Sequence, residues 1–511
     1  MTDPLDVLRR QAKILHKQYE TGDRTAIDRV NHVRPRKGDL KHADFLHVIA
    51  KENNFASWPQ MKVTVETQGM DRAAKQQRLK IAIYHGQLHV VQQLIWDTPD
   101  LAQGAFGLQV ALFDLPAVRA VLADDPKAAT QMLGRRRPIL HLAFSKMLAV
   151  WPDKEADMLG IAELLLEHGA DVNDGYSTEP GSDHKLSALY GAIGHAGNMP
   201  LGRWLLAKGA NPNDGESLYH ATELGHHKGL KLLLDHGADP KGTNALLRAI
   251  DFHDQRAVQM LLDAGADPNE FVTDEIGGEA PWVIPALFQA ARRHAKEDMI
   301  DLLLDAGADP ARMWRGASAY AAACVFGNDV LRDRLAMHGP VPVLTEVEQI
   351  LADCAQGRVV PGQYLDTAAV PPVFEHLLQE LVGLPDRQAH IEALVAVGVP
   401  WDRPDGTGIT PVQIAGWQGL PDLVAYFLRQ GPDLGHVNGY GGTLLSTIIH
   451  GSENCPERAQ RDYLGCLEGV LEHGIALPKR AIDLAGEPEV AAFLANWADQ
   501  HPGQVVEHGI V

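Results

Sequence analysis

Apolar residues in this chain come in short blocks, and one block is repeated five times with the same polar residues behind it. Leu164–Asp174 reads LLLEHGADVND and Leu205–Asp214 reads LLAKGANPND. Leu232–Gly242, Met260–Glu270 and Leu302–Arg312 read LLLDHGADPKG, MLLDAGADPNE and LLLDAGADPAR. Each apolar run predicts the last turns of a helix buried against neighbours on both sides. The glycine that follows (Gly169, Gly209, Gly237, Gly265, Gly307) stands where a helix end takes up a left-handed residue. The next Asp or Asn favours a turn, and Pro212, Pro240, Pro268 and Pro310 keep the helix from resuming. A helix pair of this kind cannot bury its apolar face alone, so its recurrence predicts an all-α solenoid of stacked helix-turn-helix units. Such a stack offers a long binding surface rather than a closed catalytic pocket.

The five glycines lie 40, 28, 28 and 42 residues apart. Units of 28 have room for both helices but only a clipped connecting finger. Longer units carry insertions at Asp174–Lys185 (DGYSTEPGSDHK), at Phe271–Val283 (FVTDEIGGEAPWV) and, between two helices, at Trp151–Asp157. Degenerate units extend the array in both directions. Arg78–Leu101 and Leu108–Ala129 read as helix pairs upstream, and Gly339, Gly398, Gly431 and Gly474 each end an apolar helix downstream. The 59 residues from Gly339 to Gly398 leave space for an atypical unit around Leu344–Gly357. The expected division is an N-terminal helical cap over 1–70, a repeat array over 71–340 and an atypical region over 341–390. Further repeats and closing helices follow over 391–499, with a loose tail over 500–511.

These motifs resemble those of the ankyrin-repeat proteins, whose unit is a turn, two antiparallel helices and a projecting finger. Thr410-Pro411-Val412-Gln413-Ile414-Ala415, preceded by Asp405-Gly406-Thr407-Gly408, is similar to the family's Thr-Pro-Leu-His opening. Pro138-Ile139-Leu140-His141-Leu142-Ala143 is a second match. Thr410 can cap the helix and Pro411 fits its first turn. The stretch Glu216–Pro240 follows the pattern through both helices, with Glu216-Ser217 in place of Thr-Pro. The segment Asn54–Lys62 resembles a Gly-Phe-Ser-Trp-Pro-like turn that ends an N-terminal segment of bacterial ankyrin proteins, with Asn54 in place of the glycine. Phe55 and Trp58 are expected to wedge this cap onto the first unit.

Composition narrows the class. Hydrophobic residues at 45% and charged residues at 22% describe a folded chain. No apolar run approaches the roughly 18 residues of a membrane helix, and the opening MTDPLDVLRRQAK lacks a signal core. Cys324, Cys354, Cys455 and Cys466 form no CxxC pair, so reduced cysteines in a cytoplasmic protein are expected. Net charge is −20. Residues 1–80 carry 16 Lys and Arg against 10 Asp and Glu, leaving 30 against 56 for the rest. A body that acidic repels phosphate backbones, so nucleic acid is not expected along it, and a basic partner surface would be steered toward it.

The sequence carries no catalytic constellation. It has no GxSxG, no GxxxxGK[ST] and no GxGxxG after a strand. The cluster His220, His226, His227 and His236 falls on differently directed positions of one unit and is read as structural, not metal-binding. Asn438–Gly442 reads as a finger turn. The family resemblance implies that a partner is bound by finger tips and by the exposed face of each first helix. Glu223, Asp251, Phe252 and Arg292 fall on that face in the repeat register. Tyr176 and His184 lie on one long finger, Phe271 and Trp282 on another, so the two could clasp a partner between them. Phe271 and Trp282 could equally cover the insertion's own apolar patch. The function expected is a monomeric protein–protein interaction scaffold with no cofactor, metal, nucleic-acid or membrane partner. An exported effector using the same surface, or an enzyme with a site in Leu344–Leu384 or in the cap, is the alternative.

Overall fold

The structure, a computed structural model, describes residues 4–33, 40–179, 181–271, 283–360, 362–507 and 509. Helices dominate it, and the strands among the described residues form three two-residue pairs. The chain divides into two compact units, residues 1–284 and 285–511.

The first unit opens with four helices, Pro4–Glu20, Arg24–Val33, His42–Glu52 and Trp58–Thr67. They share a core built on Ala12, Leu15, Val30, Phe45, Ile49 and Met61. Phe55 and Trp58 pack against this core, and the helix that Trp58 opens also packs on Leu88–Asp97 of the next pair. Asn54 takes the left-handed conformation at φ 65°, the role a glycine would have. Ser57 then caps the helix, and Gln60 Oε1 accepts the Ala56 N–H at 2.8 Å.

Six helix pairs follow: Arg72–His85 with Leu88–Asp97, Phe106–Ala111 with Leu115–Asp124, and Pro138–Ala143 with Glu155–Glu167. Then come Ala188–Tyr190, continued by the wide turn Gly191–His195, with Met199–Ala207; Ser217–Ala221 with Lys228–Asp235; and Ala245–Asp251 with Gln255–Asp263.

The repeated phrase works as its spelling predicts. Gly169, Gly209, Gly237, Gly265 and Gly307 have φ between 84° and 97°. The alanine after each returns its N–H to a leucine carbonyl of the last turn, as Ala170 does to Leu165 at 2.9 Å and Ala238 to Leu233 at 3.0 Å. His168 and His236 lean back onto the Leu164 and Leu232 carbonyls through Nδ1, at 2.7 and 2.8 Å. Successive turns are also laced together. Asn173 Oδ1 accepts the Asn211 N–H at 2.7 Å, and Asn213 Oδ1 accepts the Asp239 N–H at 2.7 Å. The long finger after Gly169 is an antiparallel pair, Gly175–Tyr176 on Leu186–Ser187. The 28-residue units form no such pair among the described residues.

The second unit continues with Ala286–Arg292 and Glu297–Asp305, then Ala319–Phe326 and Asp329–His338. Gly339 is extended at φ 172°, so that helix ends without the left-handed residue found at the phrase glycines. The atypical stretch contains one additional helix, Glu346–Ala355, opened by a Thr345/Glu348 capping box and packed on Ala319–Phe326. Four pairs complete the unit: Leu377–Val382 with Gln388–Ala396, Pro411–Trp417 with Pro421–Gln430, Leu444–Asn454 with Tyr463–Glu472, and Lys479–Leu484 with Pro488–Gln500. Pro411 occupies the first turn of its helix, and Gln413 Oε1 accepts the Thr410 N–H at 3.2 Å. Glycine lets two of these helices approach closely. A Cβ on Gly451 would lie 2.8 Å from Trp417 Cα and 2.9 Å from its carbonyl carbon. Residues 504–506, within the segment expected to be a loose tail, are tied to the second unit. Val505 and Val506 pair in parallel with Leu477 and Pro478, and Gln504 Nε2 donates to the Leu471 and Ile475 carbonyls at 2.7 and 2.6 Å.

Candidate interaction surface

Several of the residues singled out from the sequence come together in the first unit. The finger residue His184 meets Glu216 Oε1 at 2.9 Å. Glu216 Oε2 holds His220 Nε2 at 3.0 Å, and His220 Nδ1 holds Glu223 Oε2 at 2.7 Å. Arg248 Nε donates to Glu223 Oε1 at 2.8 Å, and its Nη1 lies 3.5 Å from Asp251 Oδ2. The Arg248 guanidinium covers the Phe252 ring at 4.7 Å and the Tyr219 ring at 5.6 Å. A strip of alternating basic and acidic side chains therefore runs from the long finger across the first helices of two units, and it ends on Phe252. That ring is 51% exposed.

The electrostatics follow from the pairing. Burial lowers the affinity of His220 for a proton, but the hydrogen bonds it donates to two carboxylates outweigh this and push the ring up to about 9. With a carboxylate on each ring nitrogen, His220 is an imidazolium at neutral pH. Burial works against ionisation of Glu223 too, yet His220 and Arg248 hold its carboxyl below the ordinary range.

The other sequence candidates are placed differently. Tyr176 is half-buried, with Arg136 over its ring at 4.1 Å, and it belongs to a cavity away from Phe252. Phe271 is 42% exposed, and Trp282 lies outside the described residues. Arg292 is not on an exposed face. It is 6% exposed in the second unit, bound to Glu380, with Gln289 Oε1 3.3 Å from its Nη1. An arginine at an inner-helix position reads as solvent-facing in the repeat register. Only the fold shows that Glu380, 88 positions away, covers it.

Sequence reasoning missed Glu216, Tyr219 and Arg248. Their signal was present at one-turn spacing, since Glu216, His220 and Glu223 share a helix face, but a carboxylate pair around a histidine has no short motif. It also missed Trp96, 82% exposed and beside Trp151 on a second-helix surface, and Tyr440, 78% exposed at the tip of the Asn438–Gly442 turn. That turn is closed by Asn438, whose Oδ1 accepts the Tyr440 and Gly442 N–H groups at 3.0 Å each. Of the other clustered histidines, His227 pairs with Asp254 at 2.8 Å and His236 with a helix-end carbonyl. Among the described residues no group of three or more His, Cys, Asp or Glu is placed to hold a metal ion, and no helix is long and apolar enough to cross a membrane.

Residues 189–271, which contain most of this strip, match the sequence family described as ankyrin repeats (3 copies). That stretch is made of ankyrin repeats, and the fold that contains it is all-α, built of the stacked helix pairs of an ankyrin solenoid. Among solved structures, it is similar to the ankyrin repeat domain of human ASB11 at 20% identity, over 47% of this chain and 100% of that one, with a TM-score of 0.34. An ankyrin repeat domain from Acinetobacter baumannii AYE is 23% identical over 38% of this chain and 95% of its own, with a TM-score of 0.29. The ankyrin repeat domain of Bcl-3, of the IkappaB protein family, is 19% identical over 45% and 97%, with a TM-score of 0.33. No curated protein matches the sequence. Ankyrin repeats generally mediate protein–protein interaction.

Proposed function

We propose that the chain is a protein-binding scaffold without chemistry of its own, and that the strip from His184 to Phe252 is where its partner docks. The observation that carries this reading is an exposed Phe252 ring held under Arg248, itself tied down by Glu223 and Asp251. Aromatic and arginine side chains dominate the energetics of protein interfaces, and those fixed before binding lose less entropy on docking. The acidic balance beyond residue 80 favours a partner with a basic surface. Phe271, and the Trp282 finger as first read from the sequence, extend the proposed surface. The four buried cysteines, none of them in a disulfide, support a cytoplasmic address.

A photo-crosslinking side chain at position 252 tests this in the native cells, with one at the exposed Arg256 position on the following helix as control. We expect a discrete protein adduct from position 252 that weakens at higher salt and disappears with Arg248→Ala. The same adducts from both positions would refute the assignment.

A further inference from the structure

The first helix pairs of unit 1 line an open cavity of about 490 Å³ that has no part in the strip ending at Phe252. Ile83, Tyr84, Leu108, Ala111, Phe144 and Tyr176 give it an apolar and aromatic wall. Its charged lining is entirely cationic: Lys80, Arg135 and Arg136, with no Asp or Glu. That is unusual in a chain with 66 acidic residues against 46 basic ones. The volume is within the range of small-molecule sites.

Arg136 is the organising group. Its guanidinium stands 4.1 Å from the Tyr176 ring centre, 4.4 Å from Phe144 and 4.9 Å from Tyr84. Nη2 donates to the Tyr176 hydroxyl. Among the described residues no carboxylate meets Arg136, Arg135 or Lys80, whereas the next residue, Arg137, pairs with Asp174 at 2.8 Å. Three rings thus fix a guanidinium whose remaining edge donors meet no acceptor among the described residues, and that edge matches an oxyanion in two-point geometry. The surroundings do not supply a counter-charge. Burial, followed by the charges of Arg136 and Lys80, pushes the His141 ring down to about 4 against the pull of the Leu133 carbonyl. His195, beside Tyr84, is also pushed down to about 4, by burial and then by Lys146. Both rings are neutral at physiological pH.

We propose that this cavity binds a small organic anion, a carboxylate or phosphate on a flat apolar body. The oxyanion meets the free edge of Arg136 near Lys80, and the body lies along the Tyr84 and Tyr176 wall. Calorimetric titration of the full chain with sodium benzoate, phenyl phosphate and neutral benzamide tests it, the first two separating carboxylate from phosphate. Expected are saturable binding of at least one anion and at least tenfold weaker binding of benzamide. Arg136→Gln should weaken the anion at least tenfold with an unchanged circular dichroism spectrum. Because Arg136 also stacks within the fold, the exposed pair Lys80→Gln and Arg135→Gln gives a second measurement, expected to lower affinity severalfold. Benzamide binding as tightly as the anions, no saturation with either anion, or full affinity in both sets of variants would each overturn the proposal.

Discussion

His390 should make the second unit sensitive to acid, and replacing it should remove that sensitivity. The side chain is 4% exposed on the helix Gln388–Ala396, and neither ring nitrogen has a hydrogen-bond partner. Burial, with the nearby Arg387 and His294, pushes it down to about 3 from an ordinary 6.5. The folded ring therefore stays neutral at pH values where the unfolded ring is charged. Below pH 6.5 the unfolded state binds more protons, so stability falls as pH drops and levels off only below about 3. A shift of this size corresponds to about 2 kcal/mol lost at pH 5 and about 3 kcal/mol at pH 4, at about 1.4 kcal/mol per unit. His390→Leu has no titrating group there. At pH 7.5 it should be neutral to stabilising by roughly 1–2 kcal/mol, since it removes an unpaired polar group. Solenoids do not unfold as one cooperative block, so the readout should be local: amide hydrogen exchange of residues 388–396 at pH 7.5 and 5. His141 and His195 are common to both proteins and cancel in the difference. If wild type and variant lose protection in parallel between the two pH values, His390 is not held neutral and the argument fails.

Two other expectations test the array and the strip. Asn213→Ala removes the acceptor of the Asp239 N–H and should lower the stability of the Lys228–Asp235 helix by about 1 kcal/mol; unchanged thermal unfolding and exchange would show that water replaces the bond without loss. His220, with a folded value of about 9 above its unfolded 6.5, contributes fully below pH 6.5 and loses its contribution as pH rises through 9. The loss is about 3 kcal/mol at most, and a nuclear magnetic resonance titration of the ring with a midpoint near 6.5 would contradict the two-carboxylate geometry.

The repeat phrase was legible because each of its residues acts on its own neighbourhood. A glycine such as Gly169 decides the helix end, and the alanine and histidine beside it bond to carbonyls within one turn, so five copies of the spelling meant five copies of the geometry. Of the residues in the strip, Glu223, Asp251 and Phe252 were singled out for the same reason, since a repeat register says which residues share a face, and His184 was singled out from the length of its finger. What the register does not carry is who stands opposite. Arg292 and Phe252 occupy similar places in their units, yet one is sealed beneath Glu380 and the other is open under Arg248. The difference comes from Leu377–Val382, which follows the irregular stretch and brings Glu380 back onto Arg292. Arg136 makes the same point in the first unit. In sequence it is one of three consecutive arginines, and only the fold sorts them: Arg137 to a carboxylate, Arg135 to the Thr178 carbonyl, and Arg136 into a ring of aromatics. Local chemistry set the helix pairs, and long-range packing decided which side chains are covered and which stay exposed.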